Sequence, residues 1–233
     1  AAGGSGIAGI GVVCSNDATG SGLVKALGWS GGENQTTLAV GIMVHELGHQ
    51  LGGPHTFNGN GSFCTDQVSD VNAVEIGSGT TIMSYAGLCQ SNNNIQSTPD
   101  NYFHSRSIEN FLAYLGGTGC ATTLPSGNTP PTVMAKPCGN TVSIPKLTPF
   151  SLSGSATDPD AGQTLTYIWE QIDEDGAGTP TQGFTGTTAG NSNIAPLFRS
   201  YPPSSAGNKQ TFPNLSAILT AANVSTFEAL PNT

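Results

Sequence analysis

HELGHQLGGPHT, residues 45–56, holds three of the chain's four histidines. On an α-helix, positions i and i+4 lie about 40° apart and one turn along, so His45 and His49 aim their rings at one point. That is the placement of two ligands on one metal ion. Glu46 falls about 100° round from His45, beside such an ion rather than on it and within reach of a metal-bound water, where a carboxylate acts as general base. Three residues past His49, Gly52 can take the left-handed conformation that turns the chain sharply and brings His55 back as a third ligand. Three neutral imidazoles leave one tetrahedral position open to water, which distinguishes a catalytic zinc site from a closed structural one.

H-E-x-x-H alone also arises as a helix surface with two solvated imidazoles. The extended form H-E-x-x-H-x-x-G-x-x-H is far rarer, arising by accident on the order of once in 10^5 sequences of this composition. Its surroundings agree. Residues 36–51 carry Leu38, Ile42, Met43, Leu47 and Leu51 near a helical period, with a threonine for N-cap and Gly52-Gly53-Pro54 as a stop. Residues 57–80, rich in Gly, Asn, Ser and Asp, are expected to be irregular loop. SRSIENFLAYLGG, 105–117, predicts a second helix with Ile108, Phe111, Leu112 and Leu115 on one face, capped by a serine and ended by two glycines. Residues 1–14 predict an extended edge strand.

The chain has 233 residues, 9% of them charged, with 6 basic against 15 acidic side chains and a net charge of -9. Nothing here could neutralise nucleic-acid phosphates, and an anionic membrane surface is equally disfavoured. No apolar run approaches the roughly 20 residues that span a bilayer. Five cysteines, at 14, 64, 89, 120 and 138, lack C-x-x-C spacing and point to disulfides in an oxidising compartment. The expected location is secreted, extracellular or cell-surface.

LPSGNTPPT, 124–132, breaks the chain, giving an N-terminal domain over 1–124 and a second over 125–233. Beyond the break, PFSLSGSATDPDAGQTLTYIWEQI has two alternating runs around a D-P-D turn, with Leu165, Tyr167 and Trp169 on one face. Short strands between turn residues predict an all-β, immunoglobulin-like sandwich.

The stretch 45–55, followed by Thr81-Ile82-Met83-Ser84-Tyr85, resembles the metzincin zinc metalloproteases, whose signature joins the extended zinc motif to a Met-turn. The resemblance makes Met83 an apolar floor beneath the metal and implies an α+β catalytic domain. GIAGIGVVCS and SRSIENFLAYLGG, with Cys120 beyond, are similar to the reprolysin or adamalysin enzymes, above all their bacterial reprolysin-like relatives, over residues 1 to about 120. That likeness implies Cys14–Cys120 and Cys64–Cys89 disulfides, and a substrate edge over Ile7–Val12 that receives an extended peptide by β-augmentation. Thr56 departs from the animal reprolysins, which carry Asp there. Only 44 residues precede His45, so the likeness also implies an incomplete N-terminal sheet, with the missing part of the catalytic domain as a partner. The odd cysteine is free, paired between chains or without its partner because the sequence is cut, and the last is the favoured reading, with Cys138 as the cysteine concerned. Residues after about 130 resemble the cadherin-like and PKD-type modules of secreted bacterial proteases.

Tyr85 stands where astacins and serralysins place a tyrosine that can steady an oxyanion, so it is a candidate catalytic residue beside Glu46; packing under the loop is the plainer alternative. His104 lacks ligand spacing and is read as a surface or capping residue. Asp66, Asp70 and Glu75, and separately Asp158 and Asp160, are candidate calcium (Ca2+) ligands, weighed against solvated loop carboxylates and a simple Asp turn. The expected activity is zinc (Zn2+) endopeptidase hydrolysis of protein or peptide substrates through a zinc-bound water activated by Glu46. Two alternatives stand beside it: a cell-surface binding or adhesion protein with a vestigial protease domain, against which the intact Glu46 argues, and a zinc amidase acting on cell-wall material.

Overall fold

The computed structural model describes residues 5–15, 27–31, 37–119, 122–135, 141–174, 196–219, 224–225 and 228–230. Strand β1 (Ser5–Ala8) pairs antiparallel with β2 (Gly28–Gly31), Ser5 opposite Gly31 and Ala8 opposite Gly28. Helix α1 (Thr37–Gln50) lies against both; the threonine expected to cap it, Thr36, is outside the described residues. The extended edge that the resemblance implies over Ile7–Val12 ends at Ala8. After Ala8 the chain turns at Gly11, φ 64°, and Gly11, Val12 and Val13 donate their amides to the carbonyls of His49 and Gln50 at 2.9–3.2 Å. Those donors close the end of α1 and are lost to a peptide ligand.

The stop after α1 has the pattern of a Schellman motif. Gly52, at φ 90°, donates to the His49 carbonyl at 2.9 Å and Gly53 to the Gly48 carbonyl at 3.0 Å. This positive φ suits glycine and sends the chain back along the helix towards His55.

Residues 57–80 are irregular, as expected; 62–71 is largely exposed, but 57–59 and 72–80 are buried. Phe57, Val74, Ile76 and Met83 are at most 2% exposed, so the core of this half sits inside irregular chain. Its backbone groups pair with one another: Asn58 N to the Glu75 carbonyl, Glu75 N to the Thr56 carbonyl, Gly59 N to the Gly77 carbonyl and Tyr85 N to the Ser78 carbonyl, at 2.7–2.9 Å. A Cys64–Cys89 disulfide, Cα atoms 5.0 Å apart, ties a 3-10 turn (Ser62–Cys64) to the stretch beyond the Met-turn. Cys14 is also disulfide-bonded, while Cys120 and Cys138 lie outside the described residues.

Helix α2 (Ser105–Thr118) differs from its expected form in three ways. Its cap is His104, whose ring accepts from Arg106 N, not a serine. It runs through Gly116 and Gly117 and ends at Gly119, φ 64°, because the left-handed residue rather than the first glycine fixes the terminus. Its buried side is turned one position from the apolar run: Ser107 is fully buried, whereas Ile108 and Leu112 are exposed. Aromatic packing sets this rotation, since Phe111 and Tyr114 press against Gly53 and Gly52 of the bend.

In the second half, β3 (Thr132–Met134) pairs with β5 (Ser155–Thr157), and β4 (Phe150–Ser153) with β6 (Lys209–Phe212). Then come a short helix α3 (Leu215–Leu219) and the pair β7 (Val224–Ser225) and β8 (Glu228–Ala229). Leu197, Phe198 and Phe212 form a core with Phe150, Leu152 and Trp169, and Trp169 Nε1 donates to the Gly207 carbonyl at 3.0 Å. The described residues thus make a mixed α/β fold with two-stranded pairs in each half; the TGTTAGNSN tract is outside them. Among them, no helix is long and apolar enough to cross a membrane.

Candidate metal centre

His45 and His49 stand one turn apart on α1, and the glycine bend delivers His55 to them. Each ring has one nitrogen already committed: Nδ1 of His45 donates to the Ile82 carbonyl, that of His49 to Gly53 and that of His55 to Gln67, all at 2.7 Å. A ring that donates from Nδ1 carries its lone pair on Nε2. The Nε2 of His55 lies 3.1 Å from that of His49 and 3.3 Å from that of His45. Lone pairs this close repel unless a proton or a cation sits between them. Protons are disfavoured, because burial and the mutual repulsion of the rings push His45 down to about 4 and His55 to about 3, and burial lowers His49 as well. A metal ion fits instead. Tetrahedral zinc with Zn–N near 2.05 Å places ligand nitrogens about 3.3 Å apart. The three rings could therefore hold a metal, and they are the group of possible ligands that the described residues bring together.

Around the rings, Met83 is wholly buried with its sulfur against Gly48, between the two helical histidines. Tyr85 meets His55 edge-on at 4.4 Å between ring centroids, lies 5.9 Å from His45 and stacks on Phe57 at 4.8 Å. Tyr85 thus packs beneath the loop, as its plainer alternative had it, and its ring lies beside His55. Burial, and then the Glu46 carboxylate, raise the Tyr85 phenol, so it remains a donor at neutral pH.

Glu46 is only 7% exposed, and its Oε2 takes no hydrogen bond. Burial raises its proton affinity, as suits a group that accepts a proton and passes it on. It leans on β1, where Gly6 leaves the room. A Cβ at position 6 would come 2.7 Å from Glu46 Cγ and closer still to Oε1. Gly6→Ala is therefore expected to cut catalytic turnover about a hundredfold by displacing the carboxylate, with zinc content unchanged; steady-state kinetics and metal analysis on one preparation check this.

Glu75 is the residue the sequence did not disclose. Far from binding calcium or facing solvent, its 3%-exposed carboxylate is saturated by neutral donors. It accepts from Thr56 Oγ1 at 2.6 Å, Thr80 N at 2.7 Å, Thr81 N at 3.1 Å, Thr80 Oγ1 at 3.3 Å and Thr81 Oγ1. It thus joins the residue after the third histidine to the Met-turn. The only available signal was Thr56 in place of Asp, which leaves a hydroxyl in need of an acceptor. The other calcium candidates fare no better. Asp158 Oδ1 takes the Asp160 amide at 2.8 Å, Asp160 Oδ2 takes the Thr129 amide at 2.6 Å, and Asp66 and Asp70 are exposed. His104 caps α2, as one of its expected readings had it, but is buried at 1% exposure rather than on the surface.

Residues 1–109 match the family model of the metallo-peptidase family M12B, reprolysin-like. This reprolysin-like match spans the three histidines, Glu46, Met83 and Tyr85 and ends inside α2. With the histidine cluster it supports a zinc-dependent peptidase in general terms. No curated protein and no solved structure matches the chain.

The buried rings also fix how the metal-free protein responds to acid. Below about pH 6.5 the unfolded chain protonates its histidines while the folded rings, held down to about 4 and 3 at His45 and His55, do not. Stability is thus present above pH 6.5 and lost as pH falls towards 4. Glu46, raised by burial, works in the opposite sense as one group against three. The urea midpoint of chelator-treated protein is expected to drop between pH 7 and pH 5; a flat profile contradicts neutral, buried rings.

Proposed function

We propose that the chain is part of a secreted reprolysin-like zinc endopeptidase, with residues 1–124 as its catalytic domain and 125–233 as a cadherin/PKD-like, immunoglobulin-like β-sandwich module. The observation that carries the reading is the convergence of three Nε2 lone pairs, each fixed by a backbone carbonyl on the opposite nitrogen, beside an orphaned buried carboxylate. His45, His49 and His55 would hold the metal, and when bound it would supply Lewis-acid polarisation of the scissile carbonyl and make water more acidic. Glu46 Oε2 accepts a proton from the attacking water, and the same carboxyl then protonates the leaving amide nitrogen. Tyr85 donates its hydroxyl to the oxygen that gains charge during attack. Met83 excludes water from beneath the rings. Protein or peptide substrates are the partners of this site.

The test is hydrolysis of casein and quenched peptides by the full chain, with and without a chelator. Cleavage should stop on metal removal and return with stoichiometric zinc. Chelator-insensitive cleavage, or cleavage of cell-wall amides in preference to peptides, overturns the endopeptidase assignment.

A further inference from the structure

We propose that the C-terminal half is a second support of the metal centre rather than a freely tethered module: Glu170 and Ser200 dock on the start of α2 and on the Met-turn loop, and zinc retention depends on that docking. The inference rests on the reading of the three histidines as ligands. Glu170 has a 7%-exposed side chain. Its Oε2 accepts from Ser105 N at 2.7 Å, the first residue of α2, and its Oε1 accepts from Ser200 Oγ at 3.1 Å. Ser200 Oγ in turn accepts from Tyr102 OH at 2.8 Å, and the Ser200 carbonyl shares the single Thr80 Oγ1 proton with Glu75, each acceptor at 3.3 Å. At the rim, Arg106 pairs with Glu174 at 2.7 Å and Arg199 donates to Gln96 at 2.6 Å.

These contacts converge on the rings by two routes. Tyr102, whose hydroxyl donates to Ser200, accepts from Ile82 N at 3.0 Å through its backbone carbonyl, and the Ile82 carbonyl is the acceptor that orients His45. Helix α2, whose first amide Glu170 satisfies, presses Phe111 and Tyr114 on Gly53 and Gly52, and the Gly53 carbonyl orients His49. A buried carboxylate on a helix's first N–H is a charge-assisted bond favoured by the helix dipole. The connecting residues 122–135 are exposed throughout, so the docking is made by these side chains and not imposed by a buried connector.

The experiment places a site-specific protease sequence within exposed residues 124–129 of the full chain and cuts it. The two pieces are expected to co-elute on size exclusion and to keep the zinc affinity of the uncut chain within about twofold. In the uncut chain, Glu170→Ala should weaken zinc binding about tenfold in chelator competition. Glu170→Gln, which keeps an acceptor for Ser105, should cost less than about threefold, and Lys209→Ala, exposed on β6, should cost nothing. Separation of the cut but unsubstituted pieces, or unchanged zinc affinity in Glu170→Ala, overturns the inference; should that variant not fold, the cut chain decides alone. Zinc binding coupled to docking without peptide hydrolysis would sink the peptidase reading and leave this inference standing. Absence of zinc binding in every variant would remove the metal reading and this inference together.

Discussion

Glu46→Gln is expected to lower peptide hydrolysis by roughly three orders of magnitude, the range for loss of a positioned acid–base group. Zinc content should not change, because the carboxylate stands beside the rings and none of their Nδ1 anchors involves it. Stability separates this outcome from general damage. Burial raises the Glu46 proton affinity, so its ionised form is held at a cost in the folded protein. A neutral amide of the same shape removes that cost, and the melting temperature should stay level or rise. Hydrolysis equal to the parent enzyme's would end the assignment of Glu46 as proton carrier, and a fall in melting temperature would move the effect from chemistry to folding.

Glu75→Ala should produce the largest loss of stability, about 4 kcal/mol, since it leaves the buried Thr80 and Thr81 amides and the Thr56 and Thr81 hydroxyls without their acceptor. Glu75→Gln should cost much less, about 1–2 kcal/mol. Its amide oxygen can keep the two backbone donors while its NH2 group donates to hydroxyls that rotate to accept. Zinc affinity should follow the same order, falling 10- to 100-fold for the alanine variant, the usual cost of losing an outer support of a metal ligand. Urea unfolding and chelator competition on both variants give the comparison. Equal losses for the two substitutions would mean that the amide cannot stand in for the carboxylate and that both acceptor oxygens are required.

The readable parts of this site were those set by local periodicity. His45 and His49 share a helical face through their spacing alone, and Gly52 marks the bend because its φ of 90° suits few other residues. Glu75 escaped because its meaning depends on Thr56, Thr80 and Thr81 arriving around it, and nothing in an Asn- and Gly-rich tract signals burial. Glu170 and Ser200 were further out of reach, since their contacts with Ser105 and Thr80 span 65 and 120 residues. Helix α2 shows the same limit from the other side. Its apolar run predicted the helix, yet Ile108 and Leu112 stay exposed because the glycine bend, not the apolar count, chose which side to bury.

The acceptors of the three Nδ1 protons, at Ile82, Gly53 and Gln67, come from three different stretches of backbone. Any one stretch that opens would free its imidazole to rotate, leaving two rings to hold a metal. If the three rings hold zinc, its half-life should be set by whichever stretch opens most readily rather than by the sum of three bond strengths. Isotope exchange of the metal would serve as a clock for local opening in a region that lacks regular secondary structure.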